Sequence, residues 1–245
     1  MKLKIYASLI TLLLVAIFTI AAYRPGKYHG GMYMYESDGS VTVEEANVYH
    51  LLDDEDWETG DVNGFTFSEG RHVDDNILNE VDGSDRLVID TVAAHGLTTG
   101  DEVSISNANN AAHNGVTTVT YIDADTFSCD NIAYVGNAGA SSALVHEGAY
   151  LQLGPGGAGK FLVMWSISAA SNNAAKNWKV EPFKNSTEID NAAGEMTPSG
   201  TNIQNCSGFG FVDLLVGDRV YLAVKNKTDG SNLNLEHVNL VILPF

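Results

Sequence analysis

Nine short runs between residues 86 and 243 limit what this chain can become. Residues 86–92, 102–106, 116–122, 149–153, 160–168, 178–183, 208–214, 219–224 and 233–243 are alternating or continuously apolar, rich in Val, Ile, Leu, Phe and Tyr. Gly, Asn, Asp and Ser separate them. Strands of that length at that spacing need a sandwich or a barrel to bury one face each. At 245 residues the chain can build one large or two small cores without covalent staples. The only helical candidate besides the N-terminus is a turn or two within residues 43–52, where Thr42 offers a cap and a strand fits as well.

The N-terminus is of a different kind. Lys2 and Lys4 precede residues 5–22, an uncharged apolar run closed by Ala21 and Ala22. A basic start, an apolar stretch at the short limit for spanning a bilayer and small residues at its end suit a cleaved secretory signal or an uncleaved signal-anchor, and a helix buried in a protein assembly stays open. The first two readings place the remainder across a membrane.

Charge divides the rest of the chain. Residues 36–85 hold 16 acids against the single base Arg71, whereas residues 147–245 hold 9 acids and 7 bases. The densest acidic stretch, 51–58, reads as a solvated face, and without a D-x-[DN]-x-[DN]-G loop it is only a weak calcium candidate. The net charge of -18 argues against phosphate-gripping nucleic-acid binding.

Motifs of catalytic chemistry are missing. G-x-S-x-G, HExxH, CxxC and Walker A patterns are absent. Residues 154–159 match G-x-G-x-x-G, but the apolar, β-branched run after them is a strand rather than a phosphate-binding helix, so the glycines read as a turn. His29, His50, His72, His95, His113, His146 and His237 never fall at metal-ligand spacing, which leaves a metal site unknown. His95 reads as a turn residue. Cys129 and Cys206 read as free thiols, Phe161, Trp165 and Trp178 as core rather than a sugar platform. Tyr28, Tyr33, Tyr35 and Tyr49 suit a segment crossing a protein surface or membrane interface. Asn185, Asn205 and Asn226 open glycosylation triplets, which matter only in a glycosylating host. No catalytic residue and no cofactor are expected.

Two stretches resemble known modules. His95-Gly96-Leu97, Gly100-Asp101, Val103, Ile105, Asn114-Gly115, Val119 and Asp125-Thr126-Phe127 resemble a small β-barrel module met in phage tail and head proteins. Gly159 to Ser168, Trp178-Lys179-Val180, residues 184–189, residues 215–222 and residues 235–242 resemble a jelly roll of the tumour necrosis factor and complement globular-head type, with residues 59–67 as an early strand. These resemblances, with the apolar run 5–22 read as a helix, imply an all-β protein: a jelly-roll sandwich with an inserted small β-barrel, preceded by an N-terminal hydrophobic helix. The divisions are a signal or anchor helix at 1–24, an acidic, Tyr-rich connecting segment at 25–58, the jelly roll at 59–80 plus 147–245, and the insertion at 81–146. They further imply a non-enzymatic virion structural protein, a surface fibre, spike or decoration subunit. It would form homotrimers through the jelly roll, attach to other virion subunits or a membrane through its N-terminal helix, and have loops free to contact a host receptor or glycan. The alternative is an exported or membrane-anchored bacterial envelope protein with a carbohydrate-binding ectodomain.

Overall fold

A computed structural model describes residues 28–35, 40–41, 46–52, 57–74, 77–82, 84–136, 143–171, 175–200 and 202–245. The expected N-terminal helix, the Thr42 cap and the acids 53–56 lie outside these residues. Among the described residues the regular structure is strand, with two single 3-10 turns at Ala111–His113 and Asp190–Ala192.

Five strands come first: β1 Gly30–Tyr35, β2 Ser40–Val41, β3 Tyr49–Leu51, β4 Glu58–Thr59 and β5 Phe65–Ser68. The next seven are β6 Arg71–Asp74, β7 Ile77–Asp82, β8 Leu87–Thr91, β9 Glu102–Ser106, β10 Gly115–Tyr121, β11 Thr126–Cys129 and β12 Leu144–Glu147. The chain ends with β13 Tyr150–Leu153, β14 Gly159–Ser171, β15 Trp178–Lys184, β16 Thr187–Glu188, β17 Gly194–Met196, β18 Gln204–Leu214, β19 Arg219–Asn226 and β20 Leu233–Pro244.

The first and last groups interleave in two antiparallel sheets. One runs β18-β14-β20-β1-β4, with β2 also on β20. The other runs β16-β15-β19-β13-β5, with β17 on β15 and β3 on β19. Alternation decides what lies between them. Phe161, Val163, Trp165 and Ile167 from β14, with Val238, Leu240 and Ile242 from β20, share one core with Trp178, Val180, Val220, Leu222 and Val224 from the facing sheet. Two sheets burying a common core form a sandwich, consistent with a jelly roll.

The middle group forms a third sheet, β6-β12-β9-β10-β11-β8-β7, around its own core of Leu87, Ile89, Val103, Ile105, Val119, Phe127 and Val145. β10 turns the corner, since residues 115–118 pair with β9 and residues 119–121 pair with β11. This sheet therefore runs from Arg71 to Glu147, ten residues earlier than the 81–146 insertion read from sequence. β6 and β7 carry His, Asn and acids between their apolar positions, which masks the alternation. Residues 25–58 likewise hold more than a connection, for β1 pairs along its whole length with β20 and β3 pairs with β19. The helical alternative within 43–52 gives way to strand β3, whose three side chains are all buried, Tyr49 and Leu51 in the cluster against the inserted sheet.

Candidate functional site

The sandwich has two outer faces, and they are treated differently. On the β19 side, Tyr49, Leu51, Phe183, Tyr221 and Ala223 form a second apolar cluster joined by Val116 of the inserted sheet. Leu51 N–H also donates to Ser104 Oγ across that junction, at 3.1 Å. The inserted module thus covers this face within the same chain.

The other outer face, on β18-β14-β20, carries apolar rows of its own. Phe211 lies opposite Leu162, which lies opposite Leu243, and the next row is Phe209, Met164 and Val241. Cross-strand neighbours stand about 5 Å apart, so each row is continuous. Phe245 caps one end with its ring 4.5 Å from that of Phe211. Phe209 is 67% exposed and Phe245 72%. Leu215 and Val216 extend the exposed apolar surface beyond β18. Farther along the same face the rows turn polar. Ser168 Oγ donates to Asn205 Oδ1 at 2.6 Å, and Tyr33 OH donates to Glu58 Oε2 at 2.7 Å. Lys160 opposite Asp213 bounds the apolar end. A concentrated aromatic patch with a polar border marks a contact surface rather than scattered exposure.

The edge strand β18 is closed on its inner side. Gly208 lies against the Ala192 carbonyl and the Trp165 indole, whose Nε1–H donates to Ala192 O at 2.6 Å. Asn191 Nδ2 donates to Phe211 O at 3.1 Å, satisfying a carbonyl of the edge.

The residues singled out from sequence occupy structural positions. His95 is buried: Leu97 N–H donates to its Nδ1 at 2.9 Å, and its Nε2 donates to Asp123 O at 3.0 Å, so both nitrogens serve a turn. His113 is buried against Glu80 while its Nε2 accepts from Val135 N–H at 3.0 Å. The rings of His72 and His146 stack at 4.5 Å. Cys129 and Cys206 are free thiols, and burial pushes both pKa values up, away from reactivity. Asn226 is fully buried and Asn185 is engaged by Asp218, which leaves Asn205 as the triplet asparagine presented outward.

The glycine-rich turn is a bed for Tyr28, and its last residue opens strand β14 instead of a helix. A Cβ on Gly157 would stand 2.6 Å from Leu153 Cδ1 and 2.7 Å from Tyr28 Cδ1, while Tyr28 OH donates to Pro155 O at 2.6 Å. Gly157→Ala is therefore expected to lower stability by about 1–2 kcal/mol, read as an earlier urea midpoint at unchanged slope.

Among the described residues one carboxylate group has the proximity to hold a cation: Glu181, Glu188 and Asp190, with ligand atoms within 4.8 Å. Lys179 already pairs with Glu181 and lies 3.5 Å from Glu188, and Tyr49 OH donates to Glu181 Oε2. The chain supplies its own counter-charge there.

A second charged cluster joins the two modules, and sequence reasoning missed it because Arg219 lies more than a hundred residues from Asp101 and Glu102. Arg219 donates through Nη1 to Gly100 O at 2.7 Å and Asp101 Oδ1 at 3.0 Å, and its guanidinium stacks 4.5 Å from the Tyr150 ring centroid. Glu102 Oε2 accepts from Tyr221 OH and lies 3.5 Å from Arg219. Glu147 accepts from Arg71 Nε at 2.6 Å.

No protein-family model matches the chain, and no curated protein does. Solved structures similar to it include the Eiger TNF of S. frugiperda, at 12% identity and TM-score 0.35, covering 88% of this chain and 92% of that one. An Arthrobacter globiformis isomalto-dextranase complexed with panose aligns at 13% identity and TM-score 0.22, over 83% of this chain and 40% of that one. The insecticidal delta-endotoxin Cry8Ea1 of Bacillus thuringiensis aligns at 8% identity and TM-score 0.25, over 89% and 53%. At these TM-scores any functional reading has to come from this chain's own residues.

Proposed function

We propose that this chain is a non-enzymatic structural subunit of a virion surface, a fibre, spike or decoration protein that assembles as a homotrimer through the outer face of β18-β14-β20. The observation that carries the assembly is the contrast between the two faces of the sandwich. One is covered by the inserted module, and the other presents Phe209, Phe211 and Phe245 beside Leu162, Met164, Val241 and Leu243. A monomer would hold those aromatic side chains in water, and copies of the same chain related by rotation can cover them. The virion setting and the threefold stoichiometry come from the phage-module and jelly-roll resemblances of the sequence. In such an assembly the inserted module lies on the side of the sandwich away from the contact, free to meet a receptor or glycan, and residues 5–22 attach the subunit to a membrane or a neighbouring subunit.

Multi-angle light scattering of the full chain in mild detergent, with the detergent mass subtracted, tests the assembly. A mass of three copies of the 26.2 kDa chain is expected. A monomer at tens of micromolar overturns it.

A further inference from the structure

The junction between the two modules holds an unbalanced set of buried charges. From the inserted sheet come Asp101 and Glu102 at the start of β9 and Glu147 on β12, exposed by only 6%, 2% and 6%. From the sandwich comes Arg219, with Tyr221 two residues on. Arg71, at the start of the inserted sheet, is committed to Glu147. Asp101 is committed as well: its Oδ2 accepts from Thr98 N–H at 2.6 Å and its Oδ1 from Arg219. Three carboxylates thus face two guanidinium groups. The acid left over is Glu102, which meets Arg219 only at 3.5 Å and otherwise faces two hydroxyls, Tyr221 OH at Oε2 and Thr118 Oγ1 at 3.5 Å from Oε1. A buried charge without a close counter-ion is costly, and one proton on Oε1, donated to Thr118 Oγ1, removes it while leaving the Tyr221 hydrogen bond in place.

We propose that docking of the inserted module on the sandwich is proton-linked, with Glu102 as the titrating group, so that the module clamps down on mild acidification and loosens above neutrality. Its support includes the direction of the Glu102 equilibrium. Burial lifts its pKa to about 7, against the lowering effects of Tyr221 and Arg219 and with a further rise from Asp101. Burial also raises the pKa of Glu147, in part offset by Arg71. For an acid whose pKa is higher docked than undocked, the docked form binds more protons between the two values. The gain in docking is complete below the undocked value near 4.5 and is lost as pH rises through about 7. This runs opposite to ordinary acid unfolding, and it does not depend on the trimer.

Amide hydrogen exchange of the full chain between pH 6 and 8, corrected for intrinsic rates, reads the opening of the junction at Leu51, whose N–H donates to Ser104 Oγ across it. Residues 161–167, inside the sandwich, serve as the reference. Opening at the junction is expected to be about tenfold rarer at pH 6 than at pH 8, with the reference unchanged, since about one proton is linked up to pH 7 and little beyond it. Glu102→Gln, which mimics the protonated acid, should lose this pH dependence and be at least as protected at both values as wild type is at pH 6. Tyr221→Phe, which removes a hydroxyl that favours the carboxylate, should move the transition to higher pH. A wild-type junction whose protection is flat from pH 6 to 8 overturns the proposal without any variant, and so does a Glu102→Gln protein that keeps the wild-type response.

Discussion

Replacing Phe209 and Phe211 together by aspartate is expected to leave a folded monomer in place of the proposed trimer. Both side chains point outward from β18, and the core side of that strand is made by Gly208, Gly210, Val212 and Leu214 instead. Fold stability should therefore move by no more than about 0.5 kcal/mol, as for most exposed positions. Association should respond strongly. Burying a Phe side chain is worth roughly 1.5–3 kcal/mol, so losing two per subunit, with carboxylates in their place to be desolvated, weakens each contact by more than about a hundredfold. Light scattering against concentration measures the loss, and circular dichroism melting checks the fold. A double variant that keeps the wild-type mass would show that this face is not the contact.

The same strand shows where reading the sequence succeeds and where it stops. The run 208–214 declares a strand, and eleven residues of β18 form around it. Its side assignment is the reverse of what hydropathy suggests, because in Gly-Phe-Gly-Phe the phenylalanines read as core and the glycines as surface. The structure inverts this, since Asn191, Ala192 and the Trp165 indole crowd the inner side until only glycine fits. In β14 the difficulty is milder: Phe161, Val163 and Trp165 face the core as expected, but Leu162 and Met164 on the opposite side are apolar too, so periodicity alone does not announce an outer contact face.

Topology hides more than polarity does. β1 reads as a tyrosine-bearing connection because its residues other than Met32 and Met34 are glycine or tyrosine, yet its pairing with β20 places both methionines in the core. The module junction was illegible for the same reason. Asp101 and Glu102 look like turn acids and Arg219 like the start of a strand, and only the fold brings them within hydrogen-bonding reach. Local chemistry fared better: the bond from Leu97 N–H to His95 Nδ1 and the strand after the glycine-rich turn depend on neighbours only a few residues away.

Gly208→Val should be among the most damaging single changes in the sandwich, although it adjoins Phe209, whose replacement spares the fold. A Cβ at position 208 would stand 2.5 Å from the Ala192 carbonyl oxygen and 2.7 Å from Cζ2 of Trp165. The first neighbour is backbone, and the second is a ring held in the core by its own hydrogen bond to that carbonyl. Neither can step aside alone. Moving the 190–193 turn breaks the bond and leaves a buried indole N–H without an acceptor, which costs about 1–3 kcal/mol, and overpacking adds a similar amount. The combined loss is about 4 kcal/mol, a drop in Tm on the order of 10 °C for a chain of this size. Gly208→Ala carries the same Cβ without the added branches and should fall between wild type and valine. Differential scanning calorimetry of the three proteins measures the series, and equal melting temperatures would mean that the turn does not close over β18 as described.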